Sequence, residues 1–125
     1  MLFRSRGSKP YAARHARELR AMVLLDFVAN RNLAIPYEAG STRWLWARLR
    51  AAARRVGAGR AFPNTATGEV IDDHTPFTRR GVPAIDLIDF DFPCWHKACD
   101  DLPAVSKRSL ALSGRAVLEL LRSWR

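Results

Sequence analysis

The stretch AMVLLDFVA, residues 21–29, is a continuous apolar run interrupted by one acid, Asp26. Its length and valine content predict a short strand buried on both faces, the kind found in α/β sheets. An unpaired carboxylate inside such a run costs several kcal/mol to bury, roughly 2–7 even for a neutral polar group, and so needs a cation. Two partners fit. One is an arginine, Arg79 or Arg80; the other is a metal ion.

Working outward, residues 11–20 read as the end of a helix preceding this strand. NRNLAIPYEAG (30–40) is a loop, with Pro36 and Gly40 as breakers. Ser41 or Thr42 is placed to cap a helix carrying Leu45, Leu49, Ala52 and Val56 on one face, ended by Gly57 and Gly59. Residues 60–70 are irregular, and Thr75 to Arg80 predicts a short helix stopped by Gly81. Pro83 to Asp89 (PAIDLID) is a second short buried strand, followed by a loop from Phe90 to Pro103. Ser106 caps a final helix with Leu110, Val117, Leu121 and Trp124 facing inward. Buried strands alternating with amphipathic helices predict α/β layers: part of a three-layer α/β/α sandwich around a mostly parallel sheet, residues 1–125 forming one unit. Functional groups in such folds collect at the carboxyl ends of the strands, which places Asp26 beside the loop that carries His96.

Charge follows the same division. The chain holds 21 Lys and Arg against 12 Asp and Glu, a net charge of +9. Between Glu69 and Asp101 the sign reverses, with eight acids against three bases. Within that stretch Asp72-Asp73-His74 sets two adjacent carboxylates beside an imidazole, an arrangement that needs a cation or hydrogen-bond donors unless it is a solvated turn. Together Asp26, Asp72, Asp73, His74 and His96 suit an oxygen- and nitrogen-ligated zinc. The basic residues are nearly all arginines spread along helices, which suits a solvated face more than a nucleic-acid surface. RWLWARLRAAARR (43–55) nevertheless interleaves aromatics with arginine as single-strand binders do. Cys94 is read as a small packed thiol, with a disulfide to Cys99 the alternative. HExxH, GxSxG and a glycine-rich phosphate loop are all missing. No apolar run approaches the roughly 20 residues of a membrane span, and the basic start MLFRSRGSKP has no apolar leader.

Several of these pieces, taken in order, resemble metallopeptidase family twenty-eight, which includes bacterial zinc aminopeptidases and the glutaminyl cyclases. They are RGSKPYAA (6–13), VLLDFVANRNLAIP (23–36), DDHTPF (72–77), GVPAIDLI (81–88), CWH (94–96) and SKRSL (106–110). The resemblance covers essentially the whole chain. It implies a zinc-exopeptidase-like fold and one or two zinc ions, with Asp26 and His96 as metal ligands. In the single-zinc cyclases Asp26 would instead be a hydrogen-bonding acid of the site. Asp72 matches the cyclase acid that holds the substrate's reacting groups and is the catalytic candidate. Asp73 and His74 match the family's Asp-His pair, supporting the site from behind. Trp95 would line the substrate pocket, and Phe77, with Pro76, would shape it.

The family order places a first metal His, a bridging Asp and a Glu-Glu pair before the segment that RGSKP resembles. Those four have no counterpart here, and His15 and Glu18 lie too late to replace them. The resemblance thus implies the C-terminal portion of the domain, its sheet short of its N-terminal strands, with little or no activity by itself. The implied substrate is a peptide with a free N-terminus, and a second chain is a candidate source of the missing ligands. IDDH and RRGVP lean toward the cyclases, AIDLIDFD toward the bacterial peptidases, and the balance favours an aminopeptidase-type ancestry. The other functional classes are a non-catalytic, partner-binding remnant and a basic nucleic-acid module built on Trp44 and Trp46.

Overall fold

The computed structural model describes residues 5–125. The reading of the start as basic and leaderless falls partly on residues 1–4, outside the described residues. Helix α1 (Ser8–His15) runs through a short 3-10 turn into strand β1 (Met22–Leu25). Then come β2 (Tyr37–Glu38), α2 (Arg43–Arg55), β3 (Ala66–Thr67), the single-turn α3 (Thr75–Thr78), β4 (Ala84–Leu87) and α4 (Lys107–Arg122). Both strand pairs are parallel: β1 with β4 in the register Met22↔Ala84 to Leu25↔Leu87, and β2 with β3. Among the described residues no helix is long and apolar enough to cross a membrane.

The pleat of β4 sorts its side chains onto two faces. Ile85 and Leu87 enter the main core, built with Leu45, Trp46, Leu49, Ala52 and Ala53 of α2 and Ala116 and Leu120 of α4. Ala84 faces the other way, into a smaller cluster with Ala12 of α1 and Phe77 of α3. Helices therefore cover both faces of a parallel sheet, as the alternation of apolar strands and amphipathic helices predicts.

Three expectations need correction. First, β1 is only partly buried, and Leu25 is 45% exposed. Among the described residues β1 pairs on one edge alone, so Val23 and Leu25 border an open apolar groove with Leu121 and Trp124. Second, Ser41 and Thr42 do not cap α2 with their side chains. Thr42 Oγ1 accepts the Ala84 amide at 3.0 Å and Ser41 Oγ accepts the Asp86 amide at 2.9 Å. They satisfy the outer edge of β4, whose N–H groups would otherwise be orphaned in the core. Third, α4 turns inward the small residues Ser109, Ser113 and Ala116, together with Leu120, while Leu110 and Leu121 are exposed. Val117 and Trp124 pack at the margin of the core, as the sequence suggests. The small residues let α4 lie close on Ala52 and Ala53 of α2, and Ser113 Oγ donates to the Val28 carbonyl at 2.9 Å, tying α4 to the loop after β1.

Three element boundaries fall where the sequence places them. Ser106 Oγ accepts the Ser109 amide, and Gly57 and Gly81 close their helices at φ of 72° and 77°, a region glycine enters without penalty. The corrected face of α4 makes a testable contrast. Ala116→Leu should overpack the α2–α4 contact and cost about 1–3 kcal/mol. Leu121→Ser should stay within about 0.5 kcal/mol. Urea denaturation of the two variants separates this face from the leucine-based one, which predicts the reverse order.

Candidate active site

Asp26 follows β1 directly and is part-buried at the carboxyl end of the sheet. Its cation is neither Arg79 nor Arg80: Asp26 takes part in no ion pair among the described residues, and Arg80 donates instead to the Pro76 carbonyl at 3.1 Å. What faces Asp26 is another acid. Burial is the main cause that pushes its carboxyl up to about 6, aided by a hydrogen bond with the Asp72 side chain and by the charges of Asp72 and Asp73. A half-buried carboxyl among other acids is relieved by a proton or by a cation.

Asp72 is held by its own turn. Its carboxylate accepts the Asp73 amide at 2.6 Å, and its amide donates to Thr75 Oγ1 at 3.1 Å. Asp73 reaches sideways and accepts Ser8 Oγ at 2.6 Å, tying the start of α1 to the loop. His74 turns inward and is 1% exposed. Its Nε2 lies 3.2 Å from Glu38 and its Nδ1 3.7 Å from Asp86 of β4, both carboxylates fully buried. Glu38 is further satisfied by the amides of Gly40 and Val70 and by Ser41 Oγ. His74 thus lies in the interior between Glu38 and Asp86.

Burial alone would depress His74 and raise Glu38. The hydrogen bond between them outweighs it only together with smaller causes: the charges of Asp86, Glu38 and Asp72 help raise the imidazolium, and bonds from Val70, Ser41 and Gly40 help lower the carboxylate. Asp86 is pushed up to about 7, first by burial; the positive His74 opposes this, and Asp72, Asp26 and Glu38 add to it. At neutral pH the cluster is best described as an ionised His74–Glu38 pair beside an Asp86 that titrates readily. Folded Asp86 keeps a proton that the unfolded carboxyl, titrating near 3.8, has lost, so stability falls as pH rises toward 7. The raised His74 contributes stability that is full below 6.5 and is lost as pH climbs through its folded value. The lowered Glu38 contributes stability present above 4.5 and lost on acidification. We expect the denaturation midpoint to fall between mildly acidic and mildly alkaline pH. Asp86→Asn should flatten that fall, and an unchanged pH slope in the variant contradicts the assignment.

The loop after β4 carries the remaining candidates. Trp95 packs on Phe90 at 5.1 Å between ring centroids and stacks on His96 at 4.3 Å. Both are surface residues, and His96 has a φ of 54°. Cys94 is not a free packed thiol: it is bonded to Cys99, because the turn between them brings their Cα atoms to 5.3 Å, within bridging range. Phe77, expected in the substrate pocket, is 5% exposed and packs into the smaller core beneath α3. Trp46 is likewise core, edge-on to Phe62 and tilted against Tyr37, while Trp44 stays exposed beside Trp124.

Among the described residues no three His, Cys, Asp or Glu side chains converge where a metal ion could be held. Asp26 and His96 are donors of the right chemical type for zinc but supply only part of the usual three or four ligands. Glu38 and Asp86 escaped the sequence reading as site residues. Asp86 had the same signature as Asp26, an acid within an apolar strand, whereas Glu38 ends the two-residue β2, in a stretch whose Pro36 and Gly40 read as loop.

Comparison with known proteins gives a consistent picture. The profile of peptidase family M28 matches residues 4–121. A glutaminyl-peptide cyclotransferase of Bothrops jararaca is 33% identical over 117 residues, 81% of this chain and 32% of that protein. The solved glutaminyl cyclase of an Acidobacteriales bacterium superposes with a TM-score of 0.86 at 33% identity, over 94% of this chain and 45% of that one. A leucine aminopeptidase precursor of Bacteroides thetaiotaomicron superposes at 0.79 with 27% identity, over 85% of this chain and 38% of that one. The chain thus spans about a third of the length of the curated relative and less than half of the solved ones.

Proposed function

The chain belongs to peptidase family M28, and from that premise we propose that it forms the carboxylate arm of a site acting on polypeptide N-termini, with cyclisation of N-terminal glutamine as its reaction. The observation that carries this reading is the gathering of acids at the carboxyl end of β1, where half-buried Asp26 feels Asp72 and Asp73 of the turn before α3. Cyclisation needs a proton carrier rather than a water. The substrate's α-amine attacks its own side-chain amide carbon, the new C–N bond closes a five-membered lactam, and ammonia leaves. The proton lost by the amine must reach the departing nitrogen. Asp72 would accept it and return it, its carboxylate held in place by the Asp73 amide.

Trp95 would flank the substrate on the loop side. Asp26 and His96 would hold a zinc ion together with donors from outside the described set, a second chain being one source. When bound, that ion supplies Lewis-acid polarisation of the amide carbonyl. The acids around Asp26 favour a cationic N-terminus within a chain that is otherwise strongly basic.

A second reading, hydrolysis of the N-terminal peptide bond, is favoured by the likeness to the leucine aminopeptidase precursor. The test is turnover of three peptides by the protein that carries this chain: one with N-terminal glutamine, the same peptide N-acetylated, and one with N-terminal leucine. The proposal expects ammonia release from the first alone. Free glutamine or leucine among the products would move the assignment to the aminopeptidase reading.

A further inference from the structure

The loop that carries Trp95 and His96 is held in an unusual way. From Phe92 to Asp100 its backbone hydrogen bonds are all local: Phe92 to Asp89, Trp95 to Phe92, Lys97 to Cys94 and Asp100 to Lys97. The one side-chain bond there, Lys97 Nζ to the Pro93 carbonyl at 2.8 Å, is local as well. Among the described residues no hydrogen bond joins this stretch to β1, β4 or a helix. Its ends are anchored by packing. Phe92 lies against Phe27 at 6.1 Å, and Asp100 borders the same small hollow as Phe92, Ala29 and Asn30. Between those anchors the side chains are largely solvent-facing, and His96 sits in the left-handed region at a φ of 54°. A non-glycine residue persists there only where its surroundings enforce it. The one long-lived link across this corner is the Cys94–Cys99 disulfide, which encloses Trp95 and His96.

We propose that the Cys94–Cys99 disulfide is the positioning element of the Trp95–His96 corner, so that reduction by a dithiol releases the corner while the fold remains. In that step the dithiol gives up two electrons and two protons. The Cys94–Cys99 bond breaks into two thiols, and the dithiol closes to its own disulfide. The consequence for turnover rests on the function proposed above; the structural consequence does not. The cross-link confines the corner to a short closed ring, which removes most alternative backbone states. Once it opens, local hydrogen bonds alone do not hold His96 at positive φ, and the stacking of its ring on Trp95 is lost.

Two-dimensional NMR on the full chain tests this. In the oxidised protein, the Trp95 indole and His96 imidazole should show mutual cross-peaks. Dithiothreitol should abolish them, leave the amide shifts of Met22–Leu25 and Ala84–Leu87 unmoved, and be reversed by reoxidation. The variant Cys94→Ser/Cys99→Ser should reproduce the reduced spectrum. Persistence of the cross-peaks in the reduced protein or the double variant would overturn the proposal, as would two free thiols in the air-oxidised chain. Collapse of the β1 and β4 shifts on reduction would overturn it too, since the bond would then be holding the fold. Glutaminyl-peptide turnover, measured in parallel, separates the two readings. If the corner is released with no change in turnover, Trp95 and His96 lose their place in the site, while their dependence on the disulfide stands.

Discussion

His74→Leu should lower the unfolding free energy by about 3–5 kcal/mol at neutral pH. The imidazole is the one cationic group in contact with Glu38 and Asp86 among the described residues, and both carboxylates are fully buried. Leucine fills a similar volume, so the loss is electrostatic rather than a cavity effect. It strands a buried Glu38 whose pKa is lowered principally through its bond to His74. Asp86→Asn in the His74→Leu background should recover part of the loss by removing one of the stranded acids. Urea denaturation of the two single variants and the double variant gives the coupling directly. A cost below about 1 kcal/mol for His74→Leu would mean that the cluster carries no charge.

Asp72→Asn should reduce kcat on glutaminyl peptides by about 10²–10⁴-fold, the usual worth of a positioned proton carrier. Asparagine keeps the Oδ1 that accepts the Asp73 amide, so the turn before α3 survives and stability should change by less than about 1 kcal/mol. Its amide cannot take up and return a proton. A kcat loss with KM nearly unchanged identifies a group acting in the transition state, whereas a rise in KM alone would reduce Asp72 to a binding residue.

The architecture was legible wherever apolar periodicity speaks to burial. AMVLLDFVA and PAIDLID read as strands, each longer than the Met22–Leu25 and Ala84–Leu87 that form, the helix over 43–55 as amphipathic, and Gly57 and Gly81 as stops, all from local pattern. The misreadings share one cause. Leucines at 110 and 121 were taken for core because hydrophobicity was taken for burial, while α4 buries serine and alanine where it meets α2. Ser41 and Thr42 looked like caps because they precede a helix, but the edge of β4 claims their hydroxyls. No local pattern reveals that competition, because the edge lies more than 40 residues away in sequence.

The candidate site divides in the same way. Asp26 stood out because an acid within an apolar run is costly, and the structure gives it a carboxyl neighbour rather than an arginine. Asp72, Asp73 and His74 stand together in sequence, yet each has a different partner: the turn's own Asp73 amide, Ser8, and the Glu38–Asp86 pair. Phe77, a substrate-binding candidate by resemblance, packs into the smaller core with Ala12, Val82 and Ala84. The disulfide was underweighted because spacing alone does not show how tightly the turn between two cysteines closes.

The most direct measurement of the account is the fate of solvent oxygen when a glutaminyl peptide is turned over in heavy-oxygen water. Cyclisation forms its new bond to the substrate's own nitrogen. The expected products are a lactam-ended peptide and ammonia, with no label in either. Heavy oxygen in a newly formed carboxylate would show water as the nucleophile, and the Asp26–Asp72 pair would then belong to a hydrolase.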